Sequence, residues 1–161
     1  MPNAKQSAAR DQAIDDRVLR ISRRLKAPRA LVFKAFTDPM HLARWFGPEG
    51  VTVSDCKVEP IVGGTFRVSM RSAEGNTHRV VGIFKEVSAN ERLVFTWAWL
   101  DDGDKPGHET IVAITFREIG NETEILLLHA RFDSADTCSK HNQGWLGCLV
   151  CLERYLAEQK T

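Results

Sequence analysis

The feature that most limits the possible folds is a change of hydrophobic periodicity around the segment Arg44-Trp45-Phe46-Gly47-Pro48. Before this segment, the stretch Pro28–Phe36 has the apolar spacing of a short helix, with a proline suited to its first turn. After it, apolar and polar residues alternate almost to residue 132, which is typical of strands. Beyond Ser134 the spacing is helical again. This order predicts an α+β fold in which a curved sheet wraps around one long helix and leaves a cavity between them.

The middle of the chain shows the period-two alternation of β-strands. Within Gly64–Arg71, for example, Phe66, Val68 and Met70 share one face, and polar side chains share the other. Short turns such as Gly120-Asn121 separate the stretches, and tight turns of this kind connect antiparallel neighbours. The predicted strands are Arg17–Leu25, Gly64–Arg71, Thr77–Val87, Leu93–Leu100, Val112–Phe116 and Thr123–Phe132. We therefore predict a meander of six or seven antiparallel strands rather than a parallel sheet.

The C-terminal part predicts a buried strand followed by the long helix. The strand Thr123–Phe132 is apolar on both faces around its three consecutive leucines, which predicts burial on two sides. The helix begins after Ser134 or Asp136, either of which suits an N-cap, and should run for about 33 Å at 1.5 Å per residue. Trp145, Leu149, Leu152 and Leu156 recur on one of its faces. Gly144 in its interior costs up to ~1 kcal/mol, so we expect a close approach of the backbone to the sheet or to a ligand there.

Length and charge exclude several classes of protein. The chain has 161 residues, and its 22 Lys and Arg residues are balanced by 21 Asp and Glu residues, so no nucleic-acid partner is expected. No apolar run approaches the ~20 residues that span a bilayer, so no membrane span is expected. The N-terminus lacks the apolar core of a signal peptide, which favours a cytoplasmic location. We predict a flexible N-terminal tail over residues 1–16 and a single domain over residues 17–161.

The four cysteines predict packing rather than metal or redox chemistry. Cys148 and Cys151 form a C-x-x-C pair, but it falls in the middle of the predicted helix instead of at a helix N-terminus, where thiol pKa values are lowered. A zinc site would need two further ligands at suitable spacing, and no second pair of that kind is present. We therefore expect neither a metal site nor a cofactor.

Several short motifs, taken in order, resemble one protein family. The motifs are Trp45-Phe46-Gly47-Pro48, Gly63-Gly64-Thr65-Phe66-Arg67, Glu91-Arg92-Leu93-Val94-Phe95-Thr96-Trp97 and His141-Asn142-Gln143-Gly144-Trp145. The chain from about Arg17 to Ala157 resembles the domain similar to the C-terminal half of the activator of heat-shock protein 90 ATPase. That family belongs to the START-like, birch-pollen-allergen-like (SRPBCC) superfamily. The resemblance implies a helix-grip fold with a hydrophobic cavity, and a homodimer is one expectation because some members pair through surface strands.

The resemblance and the alternation together predict a ligand site. Inward faces of the strands and of the last helix carry apolar and aromatic residues that exceed what one helix can cover, and such pockets usually bind small molecules. For any single residue the alternative is ordinary core packing. The predicted ligand-binding residues are Phe66, Met70, Phe95, Trp97, Trp99, Thr110, Val112, Trp145 and Leu149. Trp45 and Phe46, with Pro48 beside them, are predicted at the pocket mouth.

Three functions are compatible with this pattern. The first is a module that binds a hydrophobic small molecule without catalysis. The second is an enzyme of the polyketide cyclase or hydrolase type that uses His129, as general base, or another polar group of the pocket. No catalytic motif is present, and we name no catalytic residue. The third is a co-chaperone-like interaction module, for which Trp45 and Phe46 would be an exposed contact.

Overall fold

The computed structural model describes residues 15–159, and these form seven strands, three α-helices and a short 3-10 turn at Asp15–Arg17. Residues 1–14 of the predicted tail lie outside the described part. The strands are β1 (Leu19–Leu25), β2 (Thr52–Val58), β3 (Thr65–Arg71), β4 (Thr77–Ser88), β5 (Arg92–Trp99), β6 (Thr110–Ile119) and β7 (Glu122–Ala130). The helices are α1 (Arg29–Thr37), α2 (Pro39–Trp45) and α3 (Ala135–Glu158).

All seven strands join in one antiparallel sheet of order β1-β7-β6-β5-β4-β3-β2, which confirms the predicted meander. The sequence did not single out β2, because only Val58 of that strand is buried and its other side chains show no apolar alternation. The long connection through α1 and α2 separates β1 from β2, so these two strands form the edges of the sheet.

Local hydrogen bonds fix the two short helices against each other. Pro28 precedes α1 in an extended conformation, and the Asp38 side chain accepts a hydrogen bond from the backbone N–H of Met40 (2.9 Å) at the start of α2. The indole Nε1 of Trp45 donates to the carbonyl oxygen of Ala35 (2.9 Å). Trp45 is therefore held in the core, where its side chain is 3% exposed.

The last helix begins at a side-chain cap and crosses the sheet. The Ser134 hydroxyl accepts a hydrogen bond from the backbone N–H of Thr137 (3.1 Å), and α3 then runs for 24 residues, about 36 Å. Trp145, Leu149 and Leu152 are buried at the predicted spacing. No helix within residues 15–159 is long and apolar enough to cross a membrane.

The prediction that β7 is buried on both sides is wrong. Ile125 and Leu127 are buried, but Leu126, which points to the other face, is 46% exposed, and Leu128 is half-buried. The reason is that helices pack against one face of the sheet only, as the contacts of α1 with β6 and β7 show. The outer face around β7 therefore keeps apolar side chains in contact with solvent.

Candidate functional site

A cavity of about 440 Å³ lies between helix α3, the strands β3, β4 and β5, and the segment that follows α2. This volume falls in the ordinary range of small-molecule sites. Most of its wall is apolar and aromatic. The lining residues are Phe46, Pro48, Met70, His78, Trp97, Trp99, Lys140, His141, Gly144, Trp145 and Cys148.

Helix α3 supplies one wall through residues at regular spacing. Lys140, Gly144 and Cys148 are four residues apart, and His141 and Trp145 lie beside them, so all five share one face of the helix. At 1.5 Å per residue this face extends about 12 Å along the helix axis. The wall is polar at its N-terminal end and apolar towards Cys148.

The sheet supplies the opposite wall because its alternation places every second side chain inward. Met70 of β3 and His78 of β4 are direct register partners, so their side chains are neighbours on the same face. On β5, Trp97 and Trp99 are two residues apart and share that face. Their rings lie 5.5 Å apart, centroid to centroid, in an edge-to-face arrangement.

Packed rings form the floor of the cavity. The ring of Phe46 lies 6.2 Å from that of Trp97 and 5.9 Å from that of Trp145, and the two indoles are 5.4 Å apart. Each of these three side chains is no more than 4% exposed. The floor is therefore a preformed apolar surface whose rings are already immobilised by their neighbours.

Gly144 leaves open space on the helix side of the cavity. A Cβ atom added at this position would have no atom within 4 Å. The expected close approach of Gly144 to the sheet is therefore wrong. The close approach occurs one turn later, at Gly147, where a Cβ atom would come within 2.9 Å of the Pro48 side chain. The missing side chain of Gly144 instead enlarges the cavity.

A chain of hydrogen bonds behind the floor fixes the tautomer of His129. Its Nδ1 accepts from the indole Nε1 of Trp145 (3.0 Å), so the proton resides on Nε2, which donates to the Thr110 hydroxyl (2.6 Å). That hydroxyl donates in turn to the carbonyl oxygen of Trp97 (3.1 Å). Both nitrogens of this fully buried imidazole are therefore engaged, one with the indole of Trp145 and the other, through Thr110, with the backbone of Trp97.

Burial keeps His129 neutral. Desolvation, together with a smaller effect of the neighbouring His141, lowers the pKa of His129 to about 3. A general base needs a free nitrogen within reach of a substrate, whereas both nitrogens of His129 face protein partners. The contacts of His129 thus match those of a satisfied core histidine.

This neutral state predicts a pH-dependent contribution to stability. Because the pKa of His129 is lower in the folded than in the unfolded state, the contribution is complete above pH ~6.5 and is lost as the pH falls. We expect the stability difference between wild type and His129→Gln to shrink by about 2 kcal/mol from pH 7 to pH 5. Urea unfolding at both pH values measures this difference, and the variant corrects for the other titrating groups. A difference that stays constant or grows would contradict the assignment.

A second hydrogen-bonded pair, Trp99 and His141, lies at the polar end of the cavity. The indole Nε1 of Trp99 donates to Nε2 of His141 (2.9 Å), and Nδ1 of His141 donates to the carbonyl oxygen of Thr137 (2.8 Å). Desolvation lowers the pKa of His141, while the bond to Thr137 raises it. Trp99 is thereby fixed against α3 at the polar end of the cavity.

The indole N–H of Trp97 is a hydrogen-bond donor without a partner in the described part of the chain. Among the buried side-chain nitrogen and oxygen atoms of the described residues, its indole Nε1 alone has no hydrogen-bond partner. Such a group costs about 1–3 kcal/mol relative to a satisfied one. A residue of the cavity wall therefore presents a polar atom that the protein itself does not satisfy.

The predicted site residues divide into two groups. Met70, Trp97, Trp99 and Trp145 line the cavity, as does Phe46, whereas the rest lie elsewhere. Those elsewhere are the buried core residues Phe66, Phe95, Val112 and Leu149, the hydrogen-bonded Thr110, and Trp45, which packs against α1. Neither Trp45 nor Phe46 is exposed as a contact surface, because both side chains point into the core.

Several lining residues were not predicted. They are His78, Lys140, His141 and Cys148, whereas Pro48 was predicted at the mouth and Gly144 as a point of close approach to the sheet or to a ligand. The four-residue spacing of Lys140, Gly144 and Cys148 carried a usable signal, since it places them on the face that also holds Trp145. His78 gave no such signal, because histidine is intermediate between the buried and the exposed residue types and so does not mark a face of a strand.

The cysteines show packing contacts. Within residues 15–159 all four are free thiols, and Cys138 and Cys148 are buried. Desolvation raises the pKa of Cys148 to about 12. No group of three or more His, Cys, Asp or Glu side chains in the described part of the chain is placed to hold a metal ion.

The opposite face of the sheet carries an apolar groove, called the outer groove here, where a hydrophobic molecule could also bind. It encloses about 430 Å³ between β1, β6, β7 and Arg92 of β5. Leu126 and Leu128 form its apolar part, and Arg20 and Arg92 border it. Polar side chains form a larger part of its wall than of the wall of the inner cavity, and no aromatic side chain within residues 15–159 lines it.

Comparisons with known proteins agree with this architecture. Residues 26–157 match the model of the family described as Activator of Hsp90 ATPase homolog 1-like protein. The AHSA1 protein of Silicibacter pomeroyi superposes with a TM-score of 0.82 at 27% identity, over 88% of this chain and 99% of that chain. A Nitrosomonas europaea protein gives 0.76 at 27% identity, over 90% and 97%, and a Chromobacterium violaceum protein gives 0.76 at 26%, over 87% and 96%. No curated protein matches the sequence. The predicted helix-grip fold is confirmed by these structures.

Proposed function

Because the chain belongs to the Activator of Hsp90 ATPase homolog 1-like family, we propose that it binds a hydrophobic small molecule between the sheet and α3 without catalysing a reaction. Folds of this type commonly hold hydrophobic ligands. The observation that carries the proposal is the 440 Å³ cavity itself, with its floor of Phe46, Trp97 and Trp145 and the open space at Gly144. Apolar pockets with few polar groups are the usual sites of small molecules.

The two alternatives from the sequence have less support. An enzyme with His129 as general base would need that imidazole to reach a substrate, and both of its nitrogens are bonded to Trp145 and Thr110. The family description refers to activation of an ATPase, but an interaction module of the kind envisaged would need Trp45 and Phe46 at the surface. Those side chains are 3% and 4% exposed.

A fluorescence titration tests the proposal. N-phenyl-1-naphthylamine is a neutral aromatic probe, and we expect it to bind saturably at one site per chain with a Kd on the order of 1–10 μM. Binding beside Trp97 and Trp145 should quench tryptophan emission, because the indoles transfer energy to the probe. Native mass spectrometry of the freshly purified protein then shows whether a small molecule from the cell occupies the same site.

The outer groove provides the matched control for this titration. Leu126→Ser removes an exposed apolar side chain of that groove and should leave the Kd of the probe unchanged. Probe fluorescence that rises linearly without saturation, or binding that is lost in Leu126→Ser, would overturn the assignment to the inner cavity.

A further inference from the structure

The polar groups of the cavity collect at one end. His141 is bonded to Trp99, Lys140 precedes His141 on α3, and the ring of His78 lies 6.5 Å from that of Trp99. At the other end, beside Cys148 and Pro48, the lining is apolar. The cavity therefore has a direction, with a polar rim and an apolar body.

The rim contains bases and no acids. Its titratable side chains are those of His78, Lys140 and His141, and none of the described residues that line the cavity is an aspartate or a glutamate. The chain as a whole carries a formal charge of only +1, so this bias is local and does not reflect the general composition. A ligand group that meets this rim encounters donors and positive charge.

Two of the three bases are available to a ligand. His141 uses both ring nitrogens within the protein, whereas the side chain of His78 is exposed and makes no hydrogen bond to the described residues. Lys140 pairs with Asp136 at 3.2 Å, but both side chains are at least 75% exposed. Such exposed pairs contribute little stability, so the Lys140 ammonium is able to exchange Asp136 for an anion in the cavity mouth.

We propose, on the basis of the function proposed above, that the ligand is an amphipathic monoanion. Its acidic group binds at the rim to Lys140 and His78. Its apolar body lies along Gly144 and contacts the indoles of Trp97 and Trp145. The ammonium supplies a point charge and the imidazole supplies an N–H donor, which together suit a carboxylate.

Competition against bound N-phenyl-1-naphthylamine tests this proposal with three compounds that share one chain and differ in charge. Decanoate, decanol and decylammonium are each titrated into the protein–probe complex at pH 7 and low salt. We expect decanoate to displace the probe at a concentration at least about tenfold lower than decanol, and decylammonium to be the weakest. Added salt should reduce the advantage of decanoate.

Variants locate the effect at the rim. Lys140→Ala should remove most of the advantage of decanoate over decanol, and Lys140→Glu should favour decylammonium over decanoate. Lys85→Ala, which removes an exposed lysine from β4 outside the cavity lining, should change neither ratio. Probe displacement that is equal for all three compounds overturns the anionic assignment while the binding function stands. Failure of the probe itself to bind overturns both.

Discussion

Gly144→Phe is expected to abolish binding of N-phenyl-1-naphthylamine while the protein stays folded. A Cβ atom at Gly144 meets no atom within 4 Å and the residue lines the cavity, so we expect the added ring to extend into the cavity. The ring then occupies the space beside Trp97 and Trp145 that a ligand would use. We expect at least a tenfold rise in Kd, which corresponds to a loss of about 1.4 kcal/mol or more of binding free energy. Because phenylalanine is a moderately better helix former than glycine, the substitution should also stabilise α3 by roughly 0.3–0.5 kcal/mol.

Two matched variants make the result specific. Gly144→Ala adds only a methyl group, so it should stabilise the fold by up to ~1 kcal/mol and weaken probe binding only slightly. Gly147→Phe, one turn along the same helix, should destabilise the protein, because its Cβ atom comes within 2.9 Å of Pro48. Probe binding of unchanged affinity in folded Gly144→Phe would show that the ligand site lies elsewhere.

Gly82→Ala is expected to destabilise the fold by ~3 kcal/mol or more. A Cβ atom at Gly82 would lie 1.7 Å from the backbone carbonyl oxygen of Thr96, far inside contact distance. The clash involves backbone on β5, so it is not relieved by rotating a side chain, and β4 and β5 must move apart. That separation also breaks the 2.9 Å hydrogen bond from the N–H of Ile83 to the Thr96 hydroxyl.

Urea unfolding measures the effect, with Gly103→Ala as the control. Gly103 lies in the exposed loop after β5, where a Cβ atom would come no closer than 3.4 Å to the Asp101 side chain. We expect this second variant to stay within about 0.5 kcal/mol of wild type. Equal unfolding midpoints for the two variants would mean that the strands at Gly82 tolerate a side chain and that their close approach is not required.

The fold could be predicted where burial is one-sided. Phe66, Val68 and Met70 alternate with polar residues because one face of β3 meets the core and the other meets solvent. The same logic failed for β7, where Leu126 and Leu128 are apolar although their face has no packed layer above it. Apolar composition alone does not distinguish a covered face from an uncovered one.

The candidate site could be predicted only in part, for a related reason. Trp97 and Trp145 follow from the strand alternation and the helical spacing. Lys140 and His78 border the same cavity only because the tertiary fold brings α3 and β4 to its two sides, a relation that no local pattern records. Trp45 was predicted at the mouth, but its hydrogen bond to Ala35 holds the indole in the core.

Intermolecular nuclear Overhauser effects show directly whether a hydrophobic molecule binds between the sheet and α3, as we propose. With N-phenyl-1-naphthylamine bound to the labelled protein, we expect contacts from the probe protons to the Met70 methyl group and to the indole protons of Trp97 and Trp145. Contacts confined to the methyl groups of Leu126 and Leu128 would place the probe in the outer groove and contradict the claim.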